Sequence, residues 1–238
     1  MLLKQYLNFI MNNLAIIPAR GGSKRIPRKN IKDFLGKPII SYSIEIALNS
    51  NLFNKVMVST DDEEIAETAI KYGATVPFFR SKLNSNDYST TMDVVQEVRM
   101  EYLAREICFD NICCIYPTAP LIKINDLIDG YNLLLKNNND IVYPITEFSY
   151  PILRSLFIDK EGDVKMKWPE FENTRSQDLD KFYHDCGQWY WYRNISLQKN
   201  NFIKKQPIIL ENSLVQDIDN YTDWKLAELK YRIYNNLI

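Results

Sequence analysis

Arg20, Lys24, Arg25, Arg28 and Lys29 place five cations within ten residues, inside the segment LAIIPARGGSKRIPRKN at 14–30. Gly21 and Gly22 sit among them and let backbone amides approach a ligand with no Cβ in the way, and Ser23 adds a hydroxyl. Amides, a hydroxyl and cations on one short loop suit a polyphosphate. The loop has neither the GxxxxGK[ST] nor the GxGxxG spacing, so it belongs to neither of those phosphate-binding patterns. A charge run by itself reads as a solvated face or a nucleic-acid patch. This one emerges directly from an apolar run beside paired glycines, which favours phosphate.

Asp217 and Asp219, in VQDIDN, are the second group of interest. In an extended segment, residues two apart face the same way, so both carboxylates could face one Mg2+. That ion keeps water and takes one or two carboxylates plus substrate phosphates. Taken alone, the pair is better explained as a turn and cap before a helix starting near Tyr221. Thr60 and the acids Asp61, Asp62, Glu63 and Glu64 read as the capped first turn of a helix and need no catalytic role. His184 is the only histidine, which argues against a metal-dependent phosphohydrolase, and a serine triad lacks its GxSxG elbow. His184 is expected either to contact substrate or to be a satisfied structural residue. Cys108, Cys113, Cys114 and Cys186 form no CxxC, so neither zinc nor a disulfide framework is expected. The adjacent pair in NICCIY reads as strand core, and a reducing cytoplasm fits. The run WYWY, 189–192, reads as core and interface rather than a base-stacking platform.

Holding these groups in place requires a framework, and the chain has one. Short apolar runs alternate with amphipathic, helix-length segments. Residues 14–18 read as a buried strand, and Pro38 can open a helix over PIISYSIEIALNS. Strands at 56–59, 75–79, NICCIYP and DIVYPI alternate with helices over TDDEEIAETAIKYG, 90–105 and KINDLIDGYNLLLKNN. This alternation predicts a mostly parallel sheet covered on both faces. Ligands in such sheets bind beyond the carboxyl ends of the strands, which singles out the loops after Pro18, Ser59 and Tyr116. After about residue 146 the pattern changes. Pro151, the KEGD turn and Trp168-Pro169 predict antiparallel ribbon inserted into the core, and a helix over 221–235 closes the chain.

The 238 residues, 46% hydrophobic and 25% charged, have the composition of one globular domain with or without a sub-domain. The 29 basic and 30 acidic residues leave a net charge of −1, which excludes a globally basic nucleic-acid coat. No apolar run reaches the roughly 18 residues of a membrane span, so neither nucleic acid nor membrane is an expected partner. MLLKQYLNFI, residues 1–10, is short for a signal peptide and has no cleavage site. It is expected to be an extension ahead of a start at Met11, with residues 1–13 outside the folded core.

Beyond general physics, LAIIPARGGSKRIPRKN followed by FLGKPIISYSIEIAL resembles the N-terminal signature of the acylneuraminate (CMP-sialic acid) cytidylyltransferases. YPTAP at 116–120 and VQDIDN fall where that family has its other motifs. TRSQDLDKFYHDCGQWYWY, residues 174–192, resembles its pseudaminic acid branch, and the similarity spans 14–235. The resemblance implies a GT-A-like (Rossmann-like) nucleotidyltransferase fold, with core segments 14–146 and 191–238 and an inserted dimerisation sub-domain at 147–190. It implies that CTP and a nine-carbon 2-keto sugar acid, pseudaminic acid, give a CMP-sugar and pyrophosphate. Arg20, Ser23 and Lys24 would hold the triphosphate, with Gly21, Gly22, Lys29, Asn30 and Thr118 also against the nucleotide. Asp217 and Asp219 would bind Mg2+ and, with Arg20 and Lys24, form the catalytic set. Arg175, Gln177, His184 and Gln188 are expected on the sugar. Family members are homodimers whose inserted sub-domain reaches the neighbour's site, which leaves Arg175 and Gln177 to act either in cis or in trans.

Two departures from the sialic acid enzymes point away from N-acetylneuraminic acid: Tyr116 stands where they carry Gln, and DCGQ where they carry an NGA-type segment. N-acetylneuraminic and legionaminic acid remain alternatives within the family. A non-catalytic nucleotide- or nucleic-acid-binding module is the alternative from another class. The basic loop and the acidic pair at opposite ends of the chain favour catalysis. By family analogy the product would serve a surface glycan, such as flagellin or capsule decoration.

Overall fold

The computed structural model describes residues 11–237; the expected extension at 1–10 lies outside them. Eleven strands and six α-helices follow in chain order. Strand β1 (Asn13–Pro18) leads through the basic loop to a two-stranded hairpin, β2 (Asp33–Phe34) and β3 (Lys37–Pro38), and then α1 (Ile39–Asn49). Next come β4 (Lys55–Ser59), α2 (Glu63–Lys71), α3 (Thr91–Leu103), β5 (Asn111–Ile115), α4 (Ile124–Lys136) and β6 (Ile141–Glu147). The remainder holds β7 (Leu156–Ile158), β8 (Val164–Met166), β9 (Tyr183–Asp185), β10 (Trp189–Arg193), α5 (Asn194–Lys199), β11 (Lys205–Leu210) and α6 (Tyr221–Tyr234).

The main sheet has seven strands in the order β11-β6-β10-β5-β1-β4, with β9 pairing on β6. β1 pairs in parallel with β4 and β5, and β6 with β11, whereas β10 runs antiparallel between β5 and β6. Strand β1 is apolar on both sides because both of its faces are covered. Ala15 and Ile17 pack with Ile40, Ile44, Leu127, Trp189 and Trp191 on the face of α1 and α4. Leu14 and Ile16 pack with Val95, Val98, Tyr102 and Ile112 beneath α3. Gly130 lets α4 lie directly on the sheet, since a Cβ there would come within 2.4 Å of the Trp189 ring. A third cluster, Phe34, Tyr42, Trp224 and Tyr231, fastens α6 to α1 by edge-on aromatic contacts. It anchors the helix that starts directly after the Asp217–Asp219 segment.

Helix ends follow the local chemistry. Asp62 caps α2 by accepting the Ile65 N–H, and reciprocal capping boxes open α3 (Thr90/Asp93) and α6 (Asn220/Asp223). Three expectations need correction. The strand predicted at 75–79 reduces to a single bridge between Thr75 and Met57, because Pro77 has no N–H with which to continue a ladder. Pro38 precedes its helix instead of opening it: it closes the β2–β3 hairpin, and the Ile39 N–H donates to the Lys32 carbonyl. The packed core starts before Leu14, since Asn13 is 1% exposed and its amide donates to the Leu52 carbonyl. Within 147–190, only β7 and β8 form a separate ribbon; β9 returns to the main sheet.

Candidate active site

β1, β4 and β5 point the same way, so the loops after them open at one end of the sheet. The reversed β10 brings its amino end there too: Trp189 pairs with Ile115, and the Tyr116 N–H donates to the Gln188 carbonyl. A cleft of about 440 Å³ forms at this end, lined by Arg20, Ser23, Lys24, Arg25, Lys29, Asn30, Arg80, Asp87, Tyr116, Thr118 and Asp219, among others. Residues from both ends of the chain therefore meet in one cavity of the size that small-molecule sites occupy.

The loop is built by long-range contacts. Arg28 takes a left-handed conformation (φ 55°), which a residue other than glycine adopts only when its surroundings impose it. Its guanidinium grips Asp62 at 2.5 and 2.9 Å and also bonds Glu64. The bond to Arg28 holds the Asp62 carboxyl below the usual carboxylate range, and the same bond raises Arg28. The Gly21 N–H donates to Asp61 (2.9 Å), and a Cβ at Gly21 would stand 2.7 Å from an Asp62 carboxylate oxygen. The acids at 61–64 thus do more than open a helix: they also shape the loop. Asn30, buried, donates its amide to the Arg20 carbonyl at 3.0 Å.

Lys29 reaches across the cleft floor and donates to the Ile218 carbonyl at 2.7 Å, between the two aspartates. Burial pushes Lys29 down, opposed by the charges of Asp219 and Asp217. Arg25 pairs with Asp219 at 2.7 Å. The Asp217 carboxyl is held above the ordinary carboxylate range, first by protein packed around it and then by Asp219, while its side chain still reaches solvent. Gly187 lies against it, its Cβ position 3.8 Å from the Asp217 carboxyl carbon. Two crowded acids beside a basic loop form a donor set that suits a divalent cation with phosphate oxygens as its other ligands.

The residues expected on the sugar are dispersed. Gln188 is 2% exposed and donates its amide to the Leu214 carbonyl at 2.7 Å, so it tethers the approach to Asp217 from inside the core. His184 lies against Phe148, with Nδ1 2.9 Å from the Asp185 carbonyl oxygen. Arg175 and Gln177 are exposed, and Arg175 pairs with Asp178. None of these four lines the cleft.

Sequence reasoning missed Arg80 and Asp87. Arg80 is 8% exposed; its guanidinium donates to the Ser59 hydroxyl at 3.1 Å and to the Ser59 carbonyl, and burial lowers it. No carboxylate lies within ion-pair distance of it among the described residues. Its only local signal was a cation after two phenylalanines. Asp87 lies in an ordinary polar loop yet bridges Arg20 and Lys24. A second cluster involves Tyr116 and Thr91 of the cleft lining and, behind them, Tyr190 and Asp185. The Tyr116 hydroxyl bonds Thr91, and the Tyr190 hydroxyl donates to Asp185, which also accepts the Gly187 N–H.

The sequence matches the cytidylyltransferase family over residues 14–224. It is 45% identical to the pseudaminic acid cytidylyltransferase of Campylobacter jejuni serotype O:2, over 94% of this chain and 97% of that protein. It is 31% identical to the CMP-N,N'-diacetyllegionaminic acid synthase of Legionella pneumophila, over 92% and 95% of the two chains. The fold is shared with a CMP:2-keto-3-deoxy-manno-octonic acid synthetase solved with CTP. That likeness has a TM-score of 0.68 at 18% identity and covers 94% of this chain and 99% of the other.

Proposed function

The chain belongs to the cytidylyltransferase family, and from that premise we propose that it transfers CMP from CTP to the anomeric hydroxyl of pseudaminic acid, releasing pyrophosphate. The observation that carries the reading is the meeting of Arg20, Lys24 and Lys29 with Asp219 in one cleft, joined by the Lys29 bond to the Ile218 carbonyl. The likeness over the whole chain to a pseudaminic acid enzyme supports the choice of sugar.

A triphosphate brings about four negative charges, and more charge gathers on the departing pyrophosphate as the α-phosphorus is attacked. Arg20, Lys24 and the Ser23 hydroxyl are suited to those phosphates, and buried Arg80 offers a further cation at the wall. Asp217 and Asp219 would hold Mg2+, with Lys29 fixing the segment between them. When bound, that ion would lower the pKa of the acceptor hydroxyl and draw charge from the phosphates. Direct transfer needs no protein nucleophile. Tyr116, Tyr190 and Asp185 provide hydroxyl and carboxylate groups near Asp217, where the sugar would lie.

A homodimer is part of this proposal. The β7–β8 ribbon exposes Leu156 (62%), Ile158 (72%) and Val164 (64%), and apolar surface of that kind is usually covered by a partner. A second copy would bring Arg175 and Gln177 toward its neighbour's cleft. We place the enzyme in the cytoplasm, in keeping with its four free cysteines, with a product that serves a surface glycan such as that of flagellin. The test is pyrophosphate release from CTP and Mg2+ with pseudaminic, N-acetylneuraminic and legionaminic acids in parallel. Release with pseudaminic acid alone is expected. Release only with another sugar would replace the substrate, and no release by folded protein that binds CTP would remove the activity.

A further inference from the structure

Arg20 and Lys24, the two cations at the heart of the basic loop, share one carboxylate. Arg20 Nη1 donates to Asp87 Oδ1 at 2.7 Å, and Lys24 Nζ donates to Asp87 Oδ2 at 2.5 Å. Each oxygen of the anion thus receives one cation, the division of donors that two phosphate oxygens would receive. Asp87 sits on the wall of the same cleft.

The turn that presents Asp87 is braced independently of it. The Asn86 side-chain oxygen accepts the N–H groups of Tyr88 (2.7 Å) and Ser89 (3.0 Å), and the Asn86 amide donates to the Leu83 carbonyl. Upstream, Glu97 accepts from Ser81 and Asn84; downstream, the Thr90/Asp93 capping box fixes the start of α3. Arg20 Nη1 also donates to the Asn86 carbonyl at 3.0 Å, a contact that does not depend on the carboxylate charge. The Asp87 side chain could therefore turn away from the cations while its backbone and the Arg20–Asn86 bond stay in place.

We propose that Asp87 is a positioning residue that gathers Arg20 and Lys24 around an anion site and then yields that site to the β- and γ-phosphates of the nucleotide. The exchange breaks no covalent bond; one anion replaces another on the same donors. It rests on the reading of Arg20 and Lys24 as polyphosphate ligands. The arrangement holds two long, flexible side chains ready, which lowers the ordering cost of binding. Its larger effect is to weaken binding, because the nucleotide must displace a carboxylate from those cations before its phosphates meet them. A nucleoside monophosphate, with no β- or γ-phosphate, does not compete for this site.

The test measures CTP and CMP affinity with Mg2+ for the full chain, its Asp87→Asn and Asp87→Ser variants, and Arg20→Ala. Asp87 is a partly exposed surface residue, 41% by side chain, so neither Asp87 variant threatens the core. Both are expected to bind CTP about fivefold tighter, the size of a lost pair of exposed ion pairs, with CMP affinity unchanged. The KM for CTP should fall in step, and the KM for the sugar should not follow. A purely structural Asp87 would give the opposite sign, weaker CTP binding with disordered cations. If neither Asp87 variant tightens CTP binding while Arg20→Ala weakens it, the exchange is wrong and the loop reading stands. If Arg20→Ala leaves CTP affinity unchanged, the loop reading fails and the exchange fails with it.

Discussion

The loop at 20–30 and the inserted stretch at 147–190 both carry arginines and lysines, and both were expected to meet the substrate. They differ in where their charges find partners. Arg20 and Lys24 reach Asp87, Arg28 reaches Asp62, Arg25 reaches Asp219, and Lys29 reaches Ile218, all far away in sequence. Arg175 instead pairs with Asp178, three residues on, Lys165 with Asp159 across a hairpin turn, and Lys181 with Glu147, so that both ends of each pair lie inside the inserted stretch. The loop surrounds a cleft, and the inserted stretch holds exposed Leu156, Ile158 and Val164. Charges paired with distant elements of the same chain draw the two ends of the sequence into one cleft. Charges paired within the stretch itself, beside bare apolar surface, are what the proposed dimer would require of its covering face.

The comparison is tested first at the acidic pair of the C-terminal segment, of which Asp219 lines the cleft. Asp217→Asn keeps the shape and removes the charge, and should reduce pyrophosphate release about a thousandfold while CTP affinity falls much less. Equal turnover would separate the acidic pair from the loop and undo the idea of one completed site.

The next effect lies in the loop's own brace. Asp62→Asn retains a capping side chain for α2 but loses the charge facing Arg28. The pair is partly exposed, 22% for Asp62 and 39% for Arg28, so the cost after solvent screening is about 1 kcal/mol. The KM for CTP should rise as Arg28 relaxes from its left-handed conformation. The Asp62 carboxyl is depressed in the folded chain, so its stabilisation is present above the ordinary carboxylate pKa and is lost as pH falls through the lower, folded value. Thermal unfolding followed from neutral to acid pH should show a shallower acid-side decline in the variant than in the parent.

The smallest effect on the single chain, and the most informative about the inserted stretch, comes from Ile158→Lys. The residue is 72% exposed, so the fold should change by no more than about 0.5 kcal/mol. Sedimentation should nevertheless show a dimer converted to monomer. A dimer that survives would mean that the β7–β8 ribbon is not the covering surface, and that the locally paired charges of 165 and 175 have no second side to meet.

Where structure depends on neighbours in sequence, the residues were enough. The strand at 14–18, the capped turn at 60–64, and the helices after residues 90, 123 and 220 rest on local hydrogen bonding and periodicity. The one failed strand, 75–79, was punctuated by Pro77, whose missing N–H was visible from the start. The basic loop was also legible as a candidate, because its glycines, hydroxyl and cations are contiguous. Gln188 shows the limit: its type and spacing could not reveal that its amide is buried on the Leu214 carbonyl.

The sequence by itself determined an alternating α/β chain, a basic loop after the first strand, an acidic pair near the end and, by resemblance, a family. The tertiary structure decided which of those groups touch. It turned β10 against its neighbours, so that residues 185–188 share an end of the sheet with residues 20–30. It buried Arg80 on Ser59, set Asp87 between Arg20 and Lys24, and gave Asp61 and Asp62 the loop as well as the helix. The physical reason is range: a cap or a turn is satisfied within three or four residues, whereas a charge in a cleft is defined by partners tens of residues away, and only the packed sheet fixes those distances.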